Sequence, residues 1–354
     1  MKKWEINKET SPLTPILEKE LKIPQLFANI LAQRGVSNFE EAKQFFRPSV
    51  LDFIDPFLML NMEKAVARII LAKGNNEKIL VYGDYDVDGT CSVALMYLFL
   101  KQLGVDVCHY QPDRYKEGYG ISMQGVIWAK KNNINLVIAL DCGVKAIEPS
   151  KQLKKDGIDL IICDHHLPGN KLPFSVAMLN PKQGNCPYPF KDLCGCGIGF
   201  KLIQATAKKL SIKDEVVFSY LDLVAIATAA DIVPMVGENR VLVKLGLERI
   251  NENPRKGIQE LIQFSKRKGI IESSDLVFAI SPRINAAGRL GHASMAVELL
   301  AANTIEEAHK CAQLIEELNL ERREIDKKTT EEALVLLEDE KDKFTSVVCS
   351  SHWH

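Results

Sequence analysis

The chain has no stretch reaching the ~18 consecutive apolar residues of a membrane span, and its charged opening, MKKWEINKET, is not followed by the apolar core of a secretory leader. It has no surplus of charge either. Lys plus Arg number 45 against 46 Asp plus Glu, so the balance neither advertises nor excludes a polyanionic partner, and any nucleic-acid groove must be local. A disulfide or zinc framework is missing as well. The nine cysteines are odd in number and scattered, Cys108 and Cys163 sit inside apolar runs, and the close pair Cys194-Gly195-Cys196 lacks a second pair at zinc-ligand spacing. They read as reduced packing thiols, which fits a cytoplasmic protein. With no internal repeat and no low-complexity tract, what remains is an ordinary globular chain. Its 354 residues are 46% hydrophobic, enough for a sizeable core and, at roughly 100–200 residues per domain, for two domains.

Residues 1–60 carry short helical patterns and a Pro-containing turn at Asp55-Pro56, with no visible chemistry. From Lys78 the pattern changes. The runs ILVYG (79–83), VDVCHY (105–110), LVIAL (136–140) and LIIC (160–163) are nearly continuous apolar strands, with helical periodicity over 91–103, 122–132 and 146–155 between them. That is the pattern of an α/β fold, a parallel sheet flanked by helices on both faces. After a fifth strand near Ala177 the periodicity is helical through 197–209, 216–230 and 239–250, and a long polar connector helix with i,i+4 charge pairs follows. The expected division is an N-terminal helical segment (1–60), an α/β core (61–190), a helical part of the same domain (191–303), the connector (304–343), and a β-like run, FTSVVCS, leading into 344–354. A strand with nothing after it to pair with suggests the truncated start of a second domain.

Chemistry concentrates where three strands end. In an open parallel sheet the functional loops lie at the carboxyl ends of the strands. There ILVYG runs into Asp84-Tyr85-Asp86-Val87-Asp88-Gly89, LVIAL into Asp141, and LIIC into Asp164-His165-His166. Converging carboxylates repel one another unless a cation sits among them, and imidazole beside carboxylate shifts the preferred ion toward Mn²⁺ while still allowing Mg²⁺. An EF-hand loop opens with the same D-x-D-x-D-G, but Leu95 stands where the twelfth-position Glu belongs and a strand precedes the loop. Taken singly, Asp141 or Asp164 could be a helix cap. A further acid, Asp231 in LDLVAIATAADIVPM, ends a run of small apolar residues where a buried carboxylate needs a partner.

These segments resemble a known family. GDYDVDGT (83–90), ALDCG (139–143) and the Asp164-His165-His166 triplet are similar to successive motifs of the DHH phosphoesterase superfamily. The segments DPFLM (55–59), RYKEGYG (114–120), NPKQ (180–183), LDLVAIATAADIVPM (221–235) and SPRINAAGRLGHA (281–293) narrow the likeness to its RecJ branch of single-strand-specific DNA exonucleases. It covers nearly the whole chain. The resemblance implies two ions, Mn²⁺ or Mg²⁺, one held chiefly by Asp86 and Asp141, the other by Asp88, Asp141, His165 and Asp231. Asp84 would lie in or just behind this ligand set, and Asp164 would orient a neighbouring histidine. His166 would contact the scissile phosphate or protonate the leaving 3′-oxygen. Phosphatase members have His two residues before the position of Asp84; here Tyr82 stands there.

The implied activity is stepwise 5′→3′ removal of nucleotides from single-stranded DNA, in repair and recombination. Arg114, Arg283, Asn285 and Arg289 are the candidates for the strand, with Ala286-Ala287-Gly288 opening backbone amides to a phosphate. Tyr115 and Tyr119 would stack bases or pack the motif loop. Two other readings stand beside this one: a smaller-substrate relative, such as an oligoribonuclease or cyclic-dinucleotide phosphodiesterase, and an inert DNA-binding module, which predicts eroded ligands. Because the family continues into a further domain closing over the DNA, this chain is expected to hold metal while acting weakly or not at all on DNA.

Overall fold

The computed structural model describes residues 10–337 and 347–353. The N-terminal segment is a small helical unit of α1 (Thr14–Leu21), α2 (Gln25–Gln33) and α3 (Phe39–Phe46), closed on a core of its own around Leu17, Ala28, Leu31 and Val36. Then α4 (Met62–Gly74) leads into the alternating part: β1 (Ile79–Gly83), α5 (Val87–Gln102), β2 (Val107–Tyr110), α6 (Met123–Lys131), β3 (Leu136–Leu140), α7 (Ile147–Lys155), β4 (Asp159–Cys163) and β5 (Ala177–Leu179).

All pairings are parallel, in the order β2-β1-β3-β4-β5. Side chains alternate along each strand, so every central strand feeds two cores. Ile79, Val81, Leu136, Ile138, Leu140 and Ile161 join the larger core with α4, α5 and the later helices. Leu80, Tyr82, Val137, Ala139, Leu160 and Ile162 join the smaller one, toward α6 and α7. Burial on both faces is why these strands read as unbroken apolar runs.

The chain leaves β1 for β2 on one side and returns to β3 on the other, so the order reverses between β1 and β3, where open α/β sheets form their ligand crevice. Gly83 is in register with Leu140, and Leu140 with Cys163. The next residue on each strand is Asp84, Asp141 and Asp164. The register alone brings the three acids to one level.

The helical part comprises α8 (Gly195–Lys209), α9 (Asp214–Phe218), α10 (Leu221–Ala230), α11 (Gly237–Glu252), α12 (Lys256–Phe264), α13 (Ser273–Asp275), a π-helical turn at Leu276–Ile280, α14 (Ser281–Leu290), α15 (Ser294–Leu300) and α16 (Ile305–Leu337). The expected helix over 216–230 is in fact two, α9 and α10, and α5 begins at Val87, so Asp88 lies in its first turn. The long α16 is the expected connector; residues 338–343 lie outside the described residues. The strand expected over 344–350 is not found in 347–350, which have no partner strand among the described residues; 344–346 lie outside them.

Buried ion pairs fasten the helices. Lys201 on α8 bonds Glu238 on α11 and the Ile54 carbonyl, and Tyr188 donates to the same carboxylate. Arg283 on α14 grips Glu316 on α16 through two nitrogens, at 2.6 and 3.0 Å.

Candidate metal centre

Asp86 is the N-cap of α5, and one of its oxygens accepts from the Gly89 amide at 2.9 Å. Two residues on, Asp88 is wholly buried. Its two oxygens accept from the first amides of α8, Gly195 at 2.6 Å and Cys196 at 2.8 Å, a favourable place for a carboxylate because a helix N-terminus carries partial positive charge. Gly195 is required there. A Cβ on it would stand 2.5 Å from the Cβ of Asp141, so only glycine lets α8 approach both acids. Cys194, the N-cap of α8, and Cys196 are buried packing thiols, as expected. Asp141 itself takes a left-handed backbone (φ +58°) that L-residues adopt at a cost and that collects at functional sites.

Ligand atoms meet in three groups, each spanning no more than 4.8 Å: Asp84, Asp86 and Asp141; Asp88, His165 and Asp231; and Asp141, His165 and His166. His165 stands between two acids, with Nε2 3.2 Å from Asp141 Oδ1 and Nδ1 3.6 Å from Asp231 Oδ2. These are distances of approach, not hydrogen bonds. Asp84 Oδ1, Asp141 Oδ1, Asp231 Oδ2 and both His165 nitrogens are buried with no hydrogen-bond partner. Orphaned buried polar atoms are rare and costly, and a convergent set of carboxylate oxygens and imidazole nitrogens is the donor set of Mg²⁺ or Mn²⁺. The residues therefore fit divalent cations. A carboxyl-rich cavity without one holds protons instead. Burial first, then neighbouring acids, push Asp84 and Asp231 up to about 7 and Asp88 up to about 6, and Asp141 well above the usual carboxylate range. Burial pulls His165 down to about 4, so its ring is neutral and available to a cation.

Asp164 works differently. It is buried too, but three donors outweigh that and hold it below its ordinary value: the His166 ring at 2.7 Å and the amides of Val144 and His166. The histidine it orients is therefore His166, whose basicity rises through that bond. Tyr119 donates to the Asp141 carbonyl at 2.9 Å and sits 3.3 Å from His166 Nδ1, so it packs the site while more than half its surface stays exposed. Tyr115 lies out in solvent. Tyr82 does not replace a ligand. It faces the smaller core, and its hydroxyl binds the Gly120 carbonyl and Ser122 amide.

Three supporting groups were not assigned a role from the sequence. Gln111 donates to the Asp84 carbonyl, Asn180 to the His166 carbonyl, and the α8 amides hold Asp88. Only Asn180 lay in a segment singled out for its resemblance, NPKQ (180–183).

On the substrate side a cavity of about 320 Å³ is lined by Asp84, Tyr85, Asp86, Arg114, Tyr119, Asn285 and Arg289. Arg114 lies over the Tyr85 ring, 5.2 Å from its centroid. Arg283 is a correction: it is buried in its pair with Glu316 and also bonds the Ala279 carbonyl, so it is not brought to this cavity. A second correction concerns Ala286-Ala287-Gly288, which is helix and not an anion loop, so its amides are spent inside α14. The small residues serve packing instead. A Cβ on Gly288 would meet the Tyr85 carbonyl at 2.2 Å, so α14 presses directly on the loop that carries Asp84 and Asp86.

Residues 78–228 match the DHH family, N-terminal domain. A crystal structure of exonuclease RecJ bound to manganese superposes with a TM-score of 0.73 at 32% identity, covering 78% of this chain and 70% of that one. The chain belongs to the RecJ family. Among curated RecJ proteins, the single-stranded-DNA-specific exonuclease of Bacillus subtilis is 40% identical over 99% of this chain and 44% of its own length. Thermus thermophilus RecJ in complex with Mn²⁺ gives a TM-score of 0.79 at 27% identity, over 91% of this chain and 46% of that one. The chain thus spans about half the length of the curated RecJ proteins it matches.

Proposed function

We propose that the chain is the metal-dependent catalytic part of a single-strand-specific exonuclease, removing nucleotides 5′→3′ from single-stranded DNA in repair and recombination in the cytoplasm. What carries the reading is the set of orphaned buried ligand atoms on Asp84, Asp141, His165 and Asp231 beside a cavity bearing Arg114, Asn285 and Arg289. The names of the relatives support it, and so does the metal in two of their structures. The intact ligand set speaks against an inert binding module. The domain division expected from the sequence belongs to the same proposal, with 61–303 as the catalytic domain and 304–343 as its connector.

Asp84, Asp86 and Asp141 would hold one cation, and Asp88, His165 and Asp231 the other, with Asp141 between them. Such a pair of Mn²⁺ or Mg²⁺ ions neutralises phosphate charge and acidifies the attacking water. The protein's own groups do the rest. Asp164 fixes the His166 ring by its Nδ1 side, so that Nε2, 3.4 Å from the Tyr119 hydroxyl, is the atom that would steady the scissile phosphate or protonate the leaving oxygen. Arg114 and Arg289 supply the positive charge that a chain of net charge −1 must concentrate beside the strand.

Hydrolysis of 5′-labelled single-stranded and duplex DNA with Mn²⁺ or Mg²⁺ is the test. Mononucleotide release from single strands that disappears in Asp141→Ala supports the reading; equal activity in that variant overturns it.

A further inference from the structure

Ile232 directly follows Asp231 at the end of α10 and has a left-handed backbone, φ +57°. One residue past a helix C-cap this conformation is common, but the residue adopting it is usually Gly or Asn. A β-branched side chain there is a conformational outlier. Burial does not explain the choice, because Ile232 is 87% exposed while Val233 packs against the larger core. The loop is also tied to its surroundings. Asn239, itself buried, bonds the Pro234 and Asp192 carbonyls and holds the turn in place. Fold stability alone would put glycine at this position.

The loop after β4, which also bears proposed ligands, carries a second exposed apolar residue. Leu167, immediately after His166, is 71% exposed. His165 and Asp231 offer ligand atoms to one group, so each of the two exposed apolar residues follows, within two positions in the chain, a residue of that same acidic group. Apolar surface beside a phosphate-cleaving site suits the one apolar part of a nucleotide. A flat base makes such contact whatever its sequence.

We infer that Ile232, with Leu167, forms an apolar rim that receives an unstacked base of the strand held at the metal centre. The inference rests on the nuclease reading for its substrate class. Its test is equilibrium binding, with Mn²⁺, of two probes of equal length: phosphorothioate-linked oligothymidylate and the corresponding abasic strand. The chain should bind the base-bearing probe at least 10-fold more tightly. Ile232→Gly and Ile232→Asn should both abolish most of that preference, leave abasic binding and Mn²⁺ affinity unchanged, and melt no lower than the parent. Equal affinity for the two probes in the parent, or a preference retained in both variants, overturns the rim. So does loss of both probes together, which marks Ile232 as structural. Mn²⁺ binding and hydrolysis are read separately. A chain that prefers bases yet binds no Mn²⁺ keeps the rim and removes the nuclease reading, whereas Mn²⁺ binding with cleavage but without base preference does the reverse.

Discussion

At the scale of the residue, the centre is a collection of groups that the fold holds in unfavourable protonation states. Asp84, Asp88, Asp141 and Asp231 all have raised carboxyl pKa values. A carboxyl that binds its proton more tightly folded than unfolded stabilises the fold below its unfolded pKa, near 4, and loses that contribution as pH rises through its folded value. The metal-free chain should therefore gain melting temperature as pH falls from 7.5 to 5.5. His165 and His109 work the other way, since a depressed basicity favours the fold at higher pH, while His166, whose basicity is raised, adds to the four carboxyls. Thermal melts of the chain and of Asp231→Asn, both treated with chelator, check this. The variant should show a smaller rise on acidification, and Mn²⁺ should stabilise the parent more at pH 7.5 than at pH 5.5, because binding displaces protons. Equal slopes for parent and variant would mean that Asp231 does not carry the burden assigned to it.

At the scale of the element, the centre depends on close approach between backbones. Gly195 admits α8 to Asp88 and Asp141, and Gly288 admits α14 to the Tyr85 carbonyl. Gly195→Ala should lower Mn²⁺ affinity by at least 10-fold, with the sheet intact by far-ultraviolet circular dichroism; unchanged affinity would show that α8 can retreat without disturbing the acids. Glu316→Ala leaves the Arg283 guanidinium buried and unpaired, and should cost about 3–5 kcal/mol, as broken buried pairs do. A denaturant titration measures it, and a loss below about 1 kcal/mol would place that arginine in solvent.

These contacts also mark what the sequence could and could not disclose. Strands buried on both faces wrote themselves as apolar runs, and the acids at their ends were visible as a constellation because strand register needs no further information to bring them level. The α8 amides on Asp88, Gln111 behind Asp84 and Asn180 behind His166 were not visible, since each acts through a neighbour distant in the chain. With α14 the signal was present and misread. Pro282 near a helix start and two alanines after it favour a helix, yet the small residues suggested an anion loop, and Arg283 was assigned to the strand although it serves the connector.

At the scale of the molecule, a net charge of −1 gives DNA no general reason to approach, so affinity must come from few contacts. Arg289→Ala should weaken single-strand binding and reduce the slope of log affinity against log salt by about 0.7, the share of one phosphate contact. A variant with the parent's slope would remove Arg289 from the strand's path. The account's central claim is that the acids and histidines at the sheet's crevice are one two-ion centre with Asp141 between its halves. Calorimetric titration of the metal-free chain with Mn²⁺ at pH 7.5 tests it most directly. Two ions per chain should bind in the parent, and neither should bind with parental affinity in Asp141→Ala; a parent that binds none, or an Asp141→Ala chain that binds two as tightly, would contradict it.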